Sequence, residues 1–508
     1  MSLSVLFSRA LVGIDALEVV VETHLSNGLP GFAIVGMPET AVRESKERVR
    51  SAIINSGLEF PARRITVNLA PADLPKAGGQ YDLAIALGIL GASNQIELDA
   101  LQQTEILGEL ALDGEVRQVQ GVIAAALAAK AASRKMLAPQ ANNEELELVP
   151  YNSITRVGSL LQVVDFIKNG AAAAGTPQRE RSAQSRQPSI PSFQLVRGQP
   201  LGMRAVIIAA AGSHNLLMVG PPGCGKSMLA HNCAQLLPPL SVTDAMKVAC
   251  IRSLLSSQCD ESSLFDPPIR SPHHSATSVA LTGGGSRALP GEVSLAHLGV
   301  LFLDEFAEFK PSVLDSLREP MEAGEISITR ANYRVKYPAR FQLVAAMNPC
   351  PCGYSSDPKR HCRCALTQLQ HYQKKLSGPL LDRIDLQVEL PALSSAELLD
   401  ANLDEFDSVA SWRRAKQQVA TCRNLQYERA GKLNSALSAE EVESLCQLSS
   451  TQRKQLAMMM DELGLSARAL HRVLRVARTL ADFDDESGIK EQHLLEAIAM
   501  RRLQFLNR

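Results

Sequence analysis

Eight residues, Gly220-Pro221-Pro222-Gly223-Cys224-Gly225-Lys226-Ser227, restrict this chain more than any other stretch. They fit G-x-x-x-x-G-K-[ST], whose glycines let backbone N–H groups approach phosphate oxygens, with the lysine reaching the β- and γ-phosphates and the hydroxyl holding Mg²⁺. The pattern carries meaning only between a strand and a helix. Both are legible: residues 215–219 form a short apolar run, and residues 228–237 read as a helix stopped by Pro238-Pro239. The helix N-terminus adds a dipole that favours anions. The expectation is a parallel α/β sheet that takes ATP and Mg²⁺ outside the C-terminal ends of its strands.

A second motif supports the first. Val300-Leu301-Phe302-Leu303 reads as a buried strand and ends in Asp304-Glu305. Asp304 is expected to orient Mg²⁺, and Glu305 to polarise the attacking water. The run 341–347 is a further core strand, and Asn348 at its end can orient water against the γ-phosphate. Arg383, at the end of a short helix, is placed to stabilise transition-state charge across a subunit boundary. Ser466 is an N-cap candidate for a helix with Leu470, Val473, Leu474, Ala477 and Leu480 on one face. Arg468 in its first turn opposes the helix dipole, a local cost that points to a phosphate contact; an exposed arginine is the alternative.

Length allows about three domains. Residues 1–169 read as a mixed α+β domain: a strand at 14–23, a helix at 39–56, a strand at 64–69, a helix at 82–90, a hairpin over 106–119, an Ala-rich helix at 121–132 and a strand at 136–138. Residues 170–189 hold almost no apolar bulk and read as a flexible linker. Residues 190–390 form the ATPase module, with a Cys-rich insertion at 350–364, and residues 391–508 form a helical lid. At 45 % hydrophobic, 21 % charged and net charge −1, the chain has no global basic signature, so any nucleic-acid contact must be local. The absence of a leader-like or membrane-spanning run points to the cytoplasm.

Three further features are candidates. Cys350-x-Cys352 and Cys362-x-Cys364 cluster four of the ten cysteines; in a reducing compartment such thiolates favour structural Zn²⁺ over disulfides, with a loop of reduced cysteines as the alternative. His273-His274 invites a metal reading, but without nearby ligands a loop contact to substrate or partner is favoured. Residues 325–337 read as a hairpin turning near residues 330–332. Arg330 offers phosphate a fork of donors, and Arg334 and Lys336 alternate with Tyr333, Val335 and Tyr337, so the two can share one face. Such contacts give DNA affinity without sequence specificity; ordinary solvated strand charges are the alternative.

Two resemblances rest on these residues. Residues 74–79, 108–117 and 121–132 resemble the proteolytic domain of Lon-type proteases, which use a Ser nucleophile and a Lys base. This chain has Gln80 and Ile123 at the corresponding places, and neither can serve, so a non-proteolytic relative is expected; a shifted dyad of Ser93 and Lys130 is the alternative. Residues 220–227, 270–274, 290–297, 301–305, 317–322, 348–353 and 380–385 together resemble the ComM/YifB group of magnesium-chelatase-like AAA+ ATPases. That resemblance implies a homo-hexameric ring with a Lon-like domain before the AAA+ module, acting as a DNA helicase in branch migration of single-stranded DNA during natural transformation. The 325–337 turn resembles the pore hairpin of MCM helicases, where a lysine stands at the place of Arg330. A metal-chelatase subunit and an ATP-dependent protease are the competing readings. The protease lacks its dyad, and a chelatase subunit would not normally carry a Lon-like domain.

Overall fold

A computed structural model describes residues 3–37, 40–169, 192–255, 263–285, 288–329, 334–357, 360–393, 409–463 and 466–501. The 170–189 linker and Arg330 lie outside these residues. The chain forms two compact units.

The first unit is built on a seven-stranded mixed sheet in the order Gly31–Val35, Arg64–Ala70, Asp15–Ser26, Leu3–Val12, Thr104–Ile106, Lys135–Pro139, Ile154–Val157. Leu3–Val12 and Asp15–Ser26 pair antiparallel from Leu3–His24 to Val12–Asp15, turning at Gly13, whose φ of +67° suits glycine. After Asp82, which is buried against Arg48, helix Asp82–Ala92 is apolar all round and buried nearly throughout, as a helix enclosed by its domain must be. The expected 106–119 hairpin is shorter than its apolar pattern suggests. Ile106 belongs to the large sheet, and only Glu109–Leu110 and Val116–Arg117 pair as a small ladder.

This unit also takes in two later segments, Ser241–Phe265 and Ser327–Tyr337, as far as these are described. Helix Val242–Ser253 starts at Ser241, whose hydroxyl accepts from Asp244 N. It runs to Ser253, and Ala249, Cys250 and Ile251 in its last turns are buried. Gly121 N donates to Ser253 O at 3.2 Å. A Cβ at Gly13 would lie 2.9 Å from Val335 and 3.0 Å from Lys336 O, so that turn needs glycine.

The second unit carries a five-stranded parallel sheet in the order Ile269–Arg270, Val300–Leu303, Gln342–Met347, Leu216–Val219, Leu386–Glu389. Strands Leu216–Val219 and Gln342–Met347 are buried along their whole length, as central parallel strands are. The stretch 311–324 divides into two short helices, Pro311–Asp315 and Arg318–Ala323. The C-terminal helices share the core of this sheet: Trp412 stacks on Phe193, and Val473, Ala477 and Leu480 are buried with Leu216 and Val388. Ser466 caps helix Ala467–Phe483, accepting from Ala469 N at 3.2 Å. No helix among the described residues is long and apolar enough to cross a membrane.

Candidate functional site

Strand order brings the motifs together. Leu216–Val219, Gln342–Met347 and Val300–Leu303 are consecutive neighbours, so the glycine loop, Asn348 and Asp304-Glu305 emerge side by side from one sheet edge. Gly220 N is tied to Met347 O at 3.2 Å, and Gly223 and Gly225 take φ of +81° and +90°, which turns the loop back onto helix Lys226–Leu236. Lys226 Nζ lies 2.7 Å from Gly220 O, 2.8 Å from Pro221 O and 3.2 Å from Asn348 Oδ1. Burial lowers its pKa. Ser227 Oγ donates to Asp304 Oδ2 at 3.0 Å. These two oxygens fit a hard cation that keeps most of its water, as Mg²⁺ does.

Glu305 leaves the strand with φ of +51°, a left-handed conformation costly for a residue with a Cβ. The backbone there is held by Asp304 Oδ1, which accepts from Glu305 N at 2.8 Å. The turn projects the Glu305 carboxylate outward, and His274 Nδ1 lies 2.8 Å from its Oε2. His274 follows the neighbouring strand Ile269–Arg270 and packs on His273 with ring centroids 4.1 Å apart. The base of this loop is anchored by Arg270, which grips Glu292 with two bonds of 2.6 and 2.9 Å. The sequence gives His274 a loop contact with substrate or partner; the structure gives it the side chain of Glu305.

Asn348 is held on two sides. Its side chain accepts from Lys226, and its carbonyl accepts from the Tyr372 hydroxyl at 3.1 Å. Burial pushes the ionisation of Tyr372 well up, so the phenol remains a donor.

Arg383 lies away from these groups. It pairs with Glu322 at 2.5 Å and donates to Pro379 O at 2.7 Å, while its Nε is buried without a partner. Its carbonyl accepts from Arg472, which also pairs with the buried Asp385 at 2.7 Å. Burial alone would raise the pKa of Asp385, but His214 and Arg472 hold it far below the usual carboxylate range. Arg468 is exposed in the first turn of its helix and has no hydrogen-bond partner among the described residues.

The four clustered cysteines meet. All their Sγ atoms lie within 4.8 Å of one another, with Cys350–Cys352 at 3.3 Å, Cys352–Cys362 at 3.6 Å and Cys350–Cys362 at 3.8 Å. A tetrahedron with zinc–sulfur bonds of about 2.3 Å has edges of about 3.8 Å, so the thiols fit such an ion. On the hairpin, Arg334 and Lys336 are exposed while Val335 and Tyr337 are buried, which gives the one-faced alternation expected. Arg334 donates to Ser327 Oγ across the ladder at 3.2 Å.

In the first unit, Gln80 is buried and donates to Arg9 O at 2.7 Å, and Ile123 is a core residue. Ser93 donates to Leu90 O, and Lys130 donates to Pro150 O.

Comparison with known proteins agrees with this geometry. The family model for magnesium chelatase, subunit ChlI, matches residues 192–398; a second, for subunit ChlI of Mg-chelatase, matches residues 21–142; a third, for the ChlI C-terminal region, matches residues 410–501. The chain is 45 % identical to Competence protein ComM of Haemophilus influenzae, over 99 % of this chain and 98 % of that protein. It is 44 % identical to YifB of Escherichia coli, over 100 % of this chain and 98 % of that one. The magnesium-chelatase 38 kDa subunit of Acidiphilium rubrum is 24 % identical, over 59 % of this chain and 87 % of the subunit. With the phosphate loop, the paired acids and Asn348 on one sheet edge, and with relatives this similar from end to end, the chain belongs to the ComM/YifB family of magnesium-chelatase-like AAA+ ATPases.

Proposed function

We propose that this protein is an ATP-driven DNA motor: a cytoplasmic homo-hexameric ring that unwinds branched and single-stranded DNA substrates and promotes branch migration during natural transformation. The observation that carries the motor reading is the convergence of Lys226, Ser227 with Asp304, Glu305 and Asn348 on one sheet edge. Lys226 and the loop amides bind the triphosphate, Ser227 and Asp304 hold Mg²⁺, and Glu305 takes a proton from the attacking water that Asn348 orients. Bound Mg²⁺ neutralises charge on the β- and γ-oxygens. Arg383 completes the neighbouring subunit's site, and Arg468 contacts phosphate from the lid. The DNA assignment is supported by the full-length similarity to a competence protein and by the exposed Arg334–Lys336 face.

Stimulation of ATP hydrolysis by DNA, with none by a porphyrin or an unfolded protein, is the result expected. Stimulation by porphyrin alone would favour the chelatase reading, which rests on the 192–398 family match. In this mechanism His274 holds Glu305 back until the 271–277 loop is engaged. Replacing His274 by Ala is expected to raise DNA-free hydrolysis by about five- to tenfold, the worth of one ordinary hydrogen bond of about 1 kcal/mol, and to narrow the DNA stimulation ratio. Steady-state ATPase assays with and without DNA decide it.

The double substitution Arg334→Ala/Lys336→Ala is expected to weaken DNA binding while leaving DNA-free ATPase within about twofold. Its log–log salt dependence on single strands should be shallower by about 0.7 per lost phosphate contact. Arg330→Ala is expected to act the same way. Fluorescence anisotropy titrations at four salt concentrations would show it, and an unchanged slope would remove this face from the mechanism.

The four thiols hold zinc in this reading. Protein purified without chelator is expected to contain about one zinc per chain by atomic emission, as a closed four-thiolate site requires. Less than about 0.2 per chain would reject it.

A further inference from the structure

The thiol cluster is built into the wall of the nucleotide site. Cys350 follows Asn348 by two residues at the end of strand Gln342–Met347. Gly353 N closes a turn on Cys350 O at 2.9 Å. That turn packs onto the phosphate loop: a Cβ on Gly353 would sit 2.8 Å from Pro222 Cδ and 3.8 Å from Asn348 Cγ, and Gly353 has φ of +84°. On the other side, Cys364 leads into helix Leu366–Lys374, which presents Tyr372 to Asn348 O. The two C-x-C pairs therefore stand at the two supports of Asn348. One lies beside the turn on Pro222, the other at the start of the helix that carries Tyr372. Bringing all four sulfurs together ties these supports to each other.

We infer that a thiophilic divalent cation, zinc, held by Cys350, Cys352, Cys362 and Cys364 positions Asn348 and the Pro222 turn for hydrolysis, so that turnover, and not nucleotide binding, depends on the metal. This rests on the zinc reading above and adds its role. The ion touches no reacting atom. It fixes the frame from which Asn348 meets Lys226 and the attacking water, while the main phosphate contacts of Lys226 and the loop amides need no thiol.

The test uses the full-length protein, in three arms. In the first, zinc is released with an organomercurial and the mercurial is then removed with excess thiol. The expected result is a fall in kcat of about tenfold or more with ATP-analogue affinity held within about threefold, and recovery when zinc is returned. In the second, Cys362→Ser/Cys364→Ser reproduces the kcat loss in a form that zinc does not rescue. In the third, Tyr372→Phe keeps all four thiols. It should retain its zinc and an unchanged thermal midpoint yet lose several-fold in kcat. Stoichiometric zinc with full kcat after its release would overturn the positioning role and leave the zinc reading standing. Purified protein without zinc would overturn both. Loss of analogue binding together with hydrolysis, or full activity in Tyr372→Phe, would also overturn the positioning role.

Discussion

Lys226→Ala protein is expected to neither bind nor hydrolyse ATP, whereas Glu305→Gln protein is expected to bind ATP and stall. The difference follows from where the two side chains stand. Lys226 Nζ is the one ammonium among the loop's carbonyls and Asn348, held in a partly buried site where burial already lowers its pKa. Removing it leaves buried phosphate charge without its charged donor, a loss of about 10²-fold or more in affinity. Glu305 makes no contact with the glycine loop; its partner is His274, and its side chain is 56 % exposed. Replacement by Gln keeps the shape and removes the proton acceptor, worth about 10²–10⁴-fold in rate. Equilibrium binding of a fluorescent ATP analogue beside steady-state phosphate release separates the two. Normal turnover in Glu305→Gln would move the base elsewhere.

Arg383→Ala is expected to lower turnover by about 10³-fold or more while the protein still binds ATP. Arg383 pairs with Glu322 and donates to Pro379 O, and the loss is expected because we propose that it acts on a neighbour's nucleotide. Its carbonyl is held by Arg472, which pairs with Asp385, and by Asn215, whose side-chain amide donates to Arg383 O at 3.1 Å. Mixing Arg383→Ala with Glu305→Gln protomers should therefore recover part of the activity, because some interfaces then carry an intact Arg383 facing an intact Glu305. Phosphate release measured across a series of mixing ratios gives the answer, and no recovery at any ratio would assign Arg383 to its own subunit.

Much of the nucleotide site was legible because its chemistry is written in short covalent spacings. Lys226 and Ser227 sit in one motif, and Asp304 and Glu305 follow directly on an apolar strand. The four thiols were legible for the same reason, lying within residues 350–364. The pairing of His274 with Glu305 was not. It depends on Ile269–Arg270 lying beside Val300–Leu303, and a two-residue strand leaves no periodicity to read. The loop after a short apolar run, aimed at the same edge as the acids, was the available signal. Tyr372 was missed because a lone tyrosine on a helix says nothing about the carbonyl it will meet. In the first unit, strand Leu3–Val12 offers no clean signal, because Ser4 and Ser8 are buried while Leu3 and Val5 are exposed. Val242–Ser253 shows a limit of another kind: its apolar residues announce burial without naming what covers them.

That helix also decides how this protein can be cut. The chain passes between its two compact units at residues 188/189, 240/241, 265/266, 326/327 and 337/338. A fragment starting near residue 190 would keep the whole phosphate loop yet separate helix Val242–Ser253, with its buried Ala245, Val248, Ala249 and Ile251, from the unit it belongs to. Exposed apolar patches of this kind promote association, so an excised ATPase module should be recovered as aggregate. The first unit expressed alone would in turn lack two of its own pieces. The linker in the sequence is thus no seam for dissection.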